Sequence, residues 1–373
     1  MAMPPVLLLS ARITGDPAYY QQLALASQEV TGWPEMLALA ESHGLGPLLY
    51  THLRAAGAPL PPEVKQALQG LYLRHRRANQ LRANALAEIV AAYQAAGIQA
   101  LVLKGAALAQ LLYPEPGLRP MGDLDLLVSK SNLYQAQRVL AGLGFHTHLA
   151  DPDHLPDKHL LAATRQSEEF PVSVEIHYHL FARGHGPATP LEDLKRPPTP
   201  FSLPGQTAYT LGYEDMLWHL CHHLAYHTNV WKPVRLIWVA DIVGLAEKFA
   251  AEIDWAYVAK ACPLVLRTLS LLHFVAPLSP ALLQQARLKP GPPPAGVGLD
   301  FQGWPRSAIA QQRAKGYRGI LRDSFAPPEW WLRLHYGLGS ASPLFWYRWV
   351  RHPLHILSWV MHLFAGRLGR RRD

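Results

Sequence analysis

The chain has 373 residues (41.5 kDa), of which 49% are apolar and 17% charged. That is more than a typical single domain and enough apolar material for a sizeable core, and it excludes a largely disordered chain. Lys plus Arg number 35 against 27 Asp plus Glu, a formal net charge of +8, which admits anionic partners (nucleotides, nucleic acid or a phospholipid surface) without choosing among them.

Two cysteines, Cys221 and Cys262, exclude a disulfide scaffold and a four-cysteine zinc site. Reduced, buried thiols are expected. The apolar run Val6 to Leu9 is shorter than a signal-peptide core and has no basic residue before it. No stretch approaches the ~20 apolar residues that a spanning helix needs. A cytoplasmic protein is the expectation.

The first ninety or so residues read as helices. Trp33 to Leu53 has helical spacing broken at Gly44 and Gly46, and a long helix is predicted from Pro62 to Ala96, stopped by Gly97. It carries Arg74, Arg76, Arg77 and Arg82, read as a solvated surface because they do not share one narrow face. At Ile98 the texture changes. Residues 98–103 form a short apolar run fit for a buried strand, followed by Lys104-Gly105 and the helix-like AALAQLLY. After a turn-rich loop, Asp123 to Ser129 is a second strand candidate; residues 131–143 return to helical spacing, and 145–149 and 171–180 read as strands. Strand alternating with helix is an α/β arrangement. Residues 184–205 are dense in Pro and Gly and read as a linker; Tyr213 to about Leu288 is helical; 289–305 is a second Pro/Gly-rich joint before a basic, Trp-rich end.

The chemistry concentrates between Leu103 and Val128. Asp123 and Asp125 lie two apart on the predicted strand, so both carboxylates project to one face. Two crowded carboxylates repel each other unless a cation joins them, and hard divalent ions such as Mg²⁺ take oxygen ligands while leaving positions for substrate phosphates. A D-x-D alone says little; its setting says more. Lys104-Gly105 sits between a strand and a helix, where free backbone N–H groups and the helix dipole favour an anion, and Gly105 permits close approach. Arg119, four residues before Asp123, is within reach of a phosphate. Glu175, His177 and His179 alternate with apolar residues and so share a face, which supplies a third carboxylate.

The run LVLKGAALAQLLYPEPGLRPMGDLDLLV, followed some fifty residues later by VEIHYHL, resembles the uncharacterised nucleotidyltransferase family of the DNA polymerase beta-like superfamily. The resemblance is strongest over roughly Gln80 to Leu180. It implies a glycine turn at Gly105 that cradles nucleotide phosphates, Asp123 and Asp125 as the metal-binding pair, and Glu175 as the third acid. It further implies Mg²⁺ or Mn²⁺ as cofactor and a nucleoside triphosphate (NTP) as donor, with Glu175 helping to deprotonate the acceptor hydroxyl. The acceptor (small molecule, peptide or RNA end) stays open. Ala106 follows the turn glycine where many members have Ser or Gly, which removes a hydroxyl contact to phosphate; Lys104 offers a point charge in its place.

Elsewhere, His219, His223 and His227 stack at four-residue spacing on one helix face, without the glutamate of HExxH; a polar face toward the cleft is favoured over zinc. Asp241 on the next helix is the natural partner for such a histidine. From Gly303 onward there are 12 Lys plus Arg against 3 Asp plus Glu and six of the eleven tryptophans, leaving 23 against 24 for the rest. A near-neutral core therefore carries a basic, aromatic extension, suited to packing on the core, a protein partner or peripheral attachment to a membrane.

The expected fold is α+β: a nucleotidyltransferase core with a small mixed sheet over residues 80–205, between a helical region (1–79) and a helical domain (206–288), with the joint and extension at 289–373. The expected function is metal-dependent transfer of a nucleoside monophosphate to a hydroxyl, with loss of pyrophosphate. The alternatives are a non-catalytic nucleotide- or partner-binding protein on the same fold, and a nucleic-acid binder that uses the basic end.

Overall fold

The structure, a computed structural model, describes residues 3–148, 155, 157–167, 169–182, 187, 189–227, 234–291, 316–327, 329–339, 342–358 and 361. The chain begins with α1 (Pro5–Leu9), α2 (Pro17–Gln28), α3 (Trp33–Ser42) and α4 (Gly46–Ala55), and continues into α5 (Pro62–Ala95), which is 34 residues long. Pro61 and Pro62 start α5. Gly97 ends it with φ of +70°, which lets the Ile98 N–H donate back to the Tyr93 carbonyl. The expected boundary at residues 79–80 falls inside this helix, where its packing partner changes. Val64 and Leu68 belong to a core with the other helices, whereas Leu86, Ile89, Val90 and Tyr93 belong to a core under the sheet.

The sheet comprises β1 (Ala100–Leu103), β2 (Leu124–Val128), β3 (Ala163–Arg165) and β4 (Val172–His177) in the order β1-β2-β4-β3, with β2 and β4 parallel and the other pairs antiparallel. Between β1 and β2 lies α6 (Lys104–Leu111), and after β2 comes α7 (Leu133–Gly142). Both faces of β1 and β2 are covered, which explains their unbroken apolar runs. Val102, Leu124, Leu126, Val128, Val174 and Ile176 pack with α5 and α7; Leu101, Leu103 and Leu127 point the opposite way, into the helical core.

Two sequence expectations change. Residues 145–149 do not form a strand among the described residues: His146 makes a single bridge to Thr164 of β3, a short polar strand with no apolar run to announce it. The linker assigned to 184–205 contains β5 (Thr199–Leu203), paired antiparallel with β6 (Gln206–Thr210) across Pro204-Gly205. Gly205 takes φ of +77° after a proline, so the Pro-Gly pair makes a two-residue hairpin turn rather than a tether. Phe201, Leu203 and Ala208 bury one side of that hairpin in the core under the sheet.

Helices α8 (Tyr213–His227), α9 (Leu236–Lys248), α10 (Trp255–Ala261), α11 (Pro263–Leu272) and α12 (Pro280–Gln285) follow, as the helical texture of 213–288 predicts. They form the helical core with α1–α4, over the sheet face that carries Asp125. Cys221 and Cys262 are free and buried within it, and burial pushes the Cys221 thiol up to about 12. From residue 292 the second joint lies outside the described residues. No single helix among those described is long and apolar enough to cross a membrane.

Candidate active site

The pairing registers assemble the site. Leu103 stands opposite Asp125; on the other side of β2, Asp125 is beside Glu175 and Leu127 beside His177. Because side chains alternate along a strand, Asp125, Glu175 and His177 share the face turned toward α8 and α9. One carboxylate oxygen from each acid and one ring nitrogen of His177 lie within 4.8 Å of one another. Asp123 stands just before β2 at the exposed mouth and is outside this group.

Asp125 Oδ1 accepts two hydrogen bonds, from Lys104 Nζ at 2.8 Å and from His177 Nε2 at 2.7 Å. Burial alone would raise its pKa. The Lys104 ammonium and the His177 hydrogen bond overcome that and hold Asp125 well below the usual carboxylate range. Burial likewise opposes the charge on Lys104, and Asp125 raises its pKa in spite of it. Glu175 is lowered first by His177, 3.4 Å away. At the mouth Asp123 is raised, by desolvation and then by the repulsion of Asp125.

Two histidines complete the surroundings. His159 Nδ1 donates to the Leu160 carbonyl at 2.8 Å; a carbonyl only accepts, so Nε2 is the unprotonated nitrogen of the neutral ring, and it faces Glu175 Oε2 at 3.6 Å. His219 on α8 is buried, and burial, followed by the charges of Lys104 and His177, lowers its pKa well below the ordinary histidine value. It is therefore the residue by which the expected polar face of α8 reaches the site. His223 turns edge-on to Trp238, with ring centroids 5.0 Å apart, and the side chain of His227 lies outside the described residues.

The turn between β1 and α6 carries its own signature. Lys104 holds a φ of +49°, a left-handed backbone that costs a non-glycine residue about 1 kcal/mol or more. Gly105 has no room for a side chain, because a Cβ there would come 2.6 Å from Arg119 Nη1. Arg119 itself is not directed at the site mouth. Its Nη2 donates to Asp241 Oδ2 at 2.6 Å, its Nε lies 3.2 Å from the same oxygen, and Nη1 donates to the Pro120 carbonyl at 2.7 Å. Tyr113 donates to the other oxygen of Asp241 at 2.7 Å. So the partner of Asp241 is Arg119 with Tyr113, not a histidine of α8, and Arg119 braces Gly105 from behind. Gly105→Ala is expected to lower stability by about 1–3 kcal/mol, since Arg119 cannot yield without leaving Asp241. Gly70→Ala on α5, where an added Cβ meets nothing within 4 Å, is the control and should stabilise slightly in the same thermal melts.

Arg82 departs from the solvated surface read for its neighbours. Arg74 pairs with Glu41, and Arg77 binds Glu169 through two hydrogen bonds of 2.8 and 2.7 Å. Arg82 is only 8% exposed and its Nε has no hydrogen-bond partner. It lies three residues beyond Asn79, whose side-chain amide donates to the carbonyls of Pro116 and Arg119, so both face the loop that leads to Asp123. Burial lowers its pKa, and Asp123 is the acid that opposes this. Neither Arg82 nor His159 has a local motif; the first is recoverable from its spacing to Asn79, and the second enters through a loop that carries no pattern.

The donor set suits a hard divalent cation. It offers two adjacent carboxylates, and a cation in the form of the Lys104 ammonium already stands against one of them as a surrogate. His177 Nδ1 is buried and has no hydrogen-bond partner among the described residues; the imidazole is positioned by its Nε2 contacts with the two acids and by the His159 ring, 4.8 Å away.

No curated protein matches the chain. Two solved structures are similar in part. One is the solution structure of the antibiotic-resistance factor ANT(2'')-Ia, at 14% identity over 47% of this chain and 87% of that one, with a TM-score of 0.33. The other is the crystal structure of ANT(2")-Ia in complex with adenylyl-2"-tobramycin, at 13% identity over 46% and 91%, with a TM-score of 0.33. The family model described as uncharacterised nucleotidyltransferase matches residues 29–277. Those residues take in the sheet, the Lys104-Gly105 turn, Asp123, Asp125 and Glu175, and more than half of the chain: the protein belongs to the uncharacterised nucleotidyltransferase family.

Proposed function

We propose that this nucleotidyltransferase moves a nucleoside monophosphate from an NTP to a hydroxyl-bearing acceptor, with a divalent cation held by Asp125 and Glu175 and, at the mouth, Asp123. The observation that carries this reading is the convergence of Asp125 and Glu175 on one sheet face beside the strained Lys104-Gly105 turn. When bound, Mg²⁺ or Mn²⁺ supplies charge neutralisation at the triphosphate and acidifies the attacking hydroxyl. The acceptor oxygen bonds to the α-phosphorus, the bond from that phosphorus to the bridging oxygen breaks, and pyrophosphate leaves with the electron pair. Glu175 receives the hydroxyl proton. Lys104, relieved of Asp125, and the amides of the Gly105 turn meet the phosphates; Arg82, whose Nε has no hydrogen-bond partner among the described residues, adds charge at the mouth while Arg119 fixes the turn. Small-molecule, peptide and RNA acceptors all present the required hydroxyl.

The test uses each NTP labelled at its α-phosphate, Mg²⁺ or Mn²⁺, and a host extract as the source of acceptor. Transfer of label to one acceptor fraction, release of pyrophosphate, and loss of both on chelation are the expected results. Absence of transfer from every NTP, or transfer that persists under chelation, contradicts the reading. Arg82→Ala should raise the KM for NTP about tenfold or more, the scale of one lost hydrogen bond to a charged group.

A further inference from the structure

Residues 344–358 form one helical run, π-helical from Tyr347 to Arg351, and its inner side is held to the body by His352. The His352 Nε2 donates to the Ser324 carbonyl at 2.6 Å, and Tyr336 donates its hydroxyl to His352 Nδ1 at 2.9 Å. The outer side is apolar. Phe345, Trp346, Trp349, Leu354, Leu357 and Met361 are 52–74% exposed, and they make up half of the twelve large apolar side chains that the described residues leave exposed. Trp346, Trp349, Pro353 and Leu357 follow one another at three- and four-residue spacing along this run, and Met361 continues the spacing in the sequence. Soluble proteins rarely leave so much contiguous apolar surface without a use for it.

Charge identifies the occupant. Arg351 is exposed on the same helix, its guanidinium over the rings of Tyr347 and Tyr336 at 5.4 and 5.5 Å, Arg348 is half-buried, and the sequence continues into Arg367, Arg370, Arg371 and Arg372, with no acid before Asp373. A stripe rich in Trp and Leu, followed in the sequence by a cluster of arginines without an intervening acid, has the make-up of a helix lying in a bilayer interface, its rings at headgroup depth and its cations on lipid phosphates. We propose that the helix at residues 344–358 docks this protein onto anionic lipid surfaces. The proposal is independent of the chemistry at Asp125.

Sedimentation of the full chain with vesicles tests it. Binding to phosphatidylcholine vesicles that contain phosphatidylglycerol, weakening in high salt, is expected, with little binding to phosphatidylcholine alone. Trp346→Glu with Trp349→Glu should lower partitioning at least about tenfold, because both rings leave the interface. Leu25→Glu, at an exposed leucine on α2, should leave binding unchanged, and circular dichroism verifies that each variant is folded. The proposal is overturned if the wild-type chain ignores anionic vesicles or if the double variant binds as well as wild type. It is equally overturned if light scattering shows a dimer that the double variant dissolves, since the stripe would then belong to a second copy of the chain.

Discussion

Asp125→Asn is expected to lower nucleotide transfer at least a hundredfold, about the cost of removing one aimed electrostatic partner from a transition state. The substitution also weakens the fold. Lys104 is largely buried and its ammonium rests on Asp125 Oδ1, so a neutral amide there leaves a desolvated cation without its counter-charge. Loss of activity alone would therefore be ambiguous, and Lys104→Met combined with Asp125→Asn separates the causes. The double variant removes the stranded charge and should regain most of the stability in urea titrations, while transfer stays at the level of Asp125→Asn. Recovery of transfer along with stability would mean that Asp125 matters only for packing. The pH dependence has a definite sign. Asp125 is depressed in the fold, so its ion pair stabilises at every pH above the ordinary aspartate value and is lost as the pH falls through the depressed one. The wild-type protein should thus lose stability toward acid more steeply than the double variant.

What the sequence made legible was whatever depends on a period of two residues. Asp125 on one strand, and Glu175 and His177 on another, could each be set opposite their apolar neighbours Leu124, Leu126, Val174 and Ile176 because alternation along a strand is rigid. That β2 and β4 are adjacent and parallel is a matter of topology, and here the family resemblance supplied what the residues did not. Helix faces were harder to read. Arg74, Arg76, Arg77 and Arg82 do not share one narrow face and so read together as a solvated surface, yet the turn of helix that carries Asn79 and Arg82 lies against the loop before β2. Pro204-Gly205 looked like a tether because proline and glycine serve flexible joints and tight turns alike; only the pairing of Phe201 with Ala208 and of Leu203 with Gln206 distinguishes the two. Asp241 was legible as an acid in want of a partner but not in its choice of one, since Arg119 and Tyr113 are more than a hundred residues away in the chain.

That buried trio yields the largest expected effect on stability. Arg119→Met and Asp241→Leu should each destabilise the protein by about 3–5 kcal/mol, because each strands a charge in an interior that excludes water: the Asp241 carboxylate is fully buried and Arg119 is nearly so. The combined Arg119→Met and Asp241→Leu variant should be far more stable than either single change, since no uncompensated charge remains and the losses reduce to the acceptor of the Tyr113 hydroxyl and the donor to the Pro120 carbonyl. Additive losses in urea unfolding would show that the two side chains do not act as a pair. The same variants separate bracing from phosphate binding. Arg119 backs Gly105 with its guanidinium, so a stable double variant that still transfers nucleotide with a near-normal KM identifies Arg119 as the support of the turn. A large rise in KM at restored stability would show instead that the guanidinium reaches the triphosphate from behind Gly105, and that Asp241 holds it in readiness rather than in reserve.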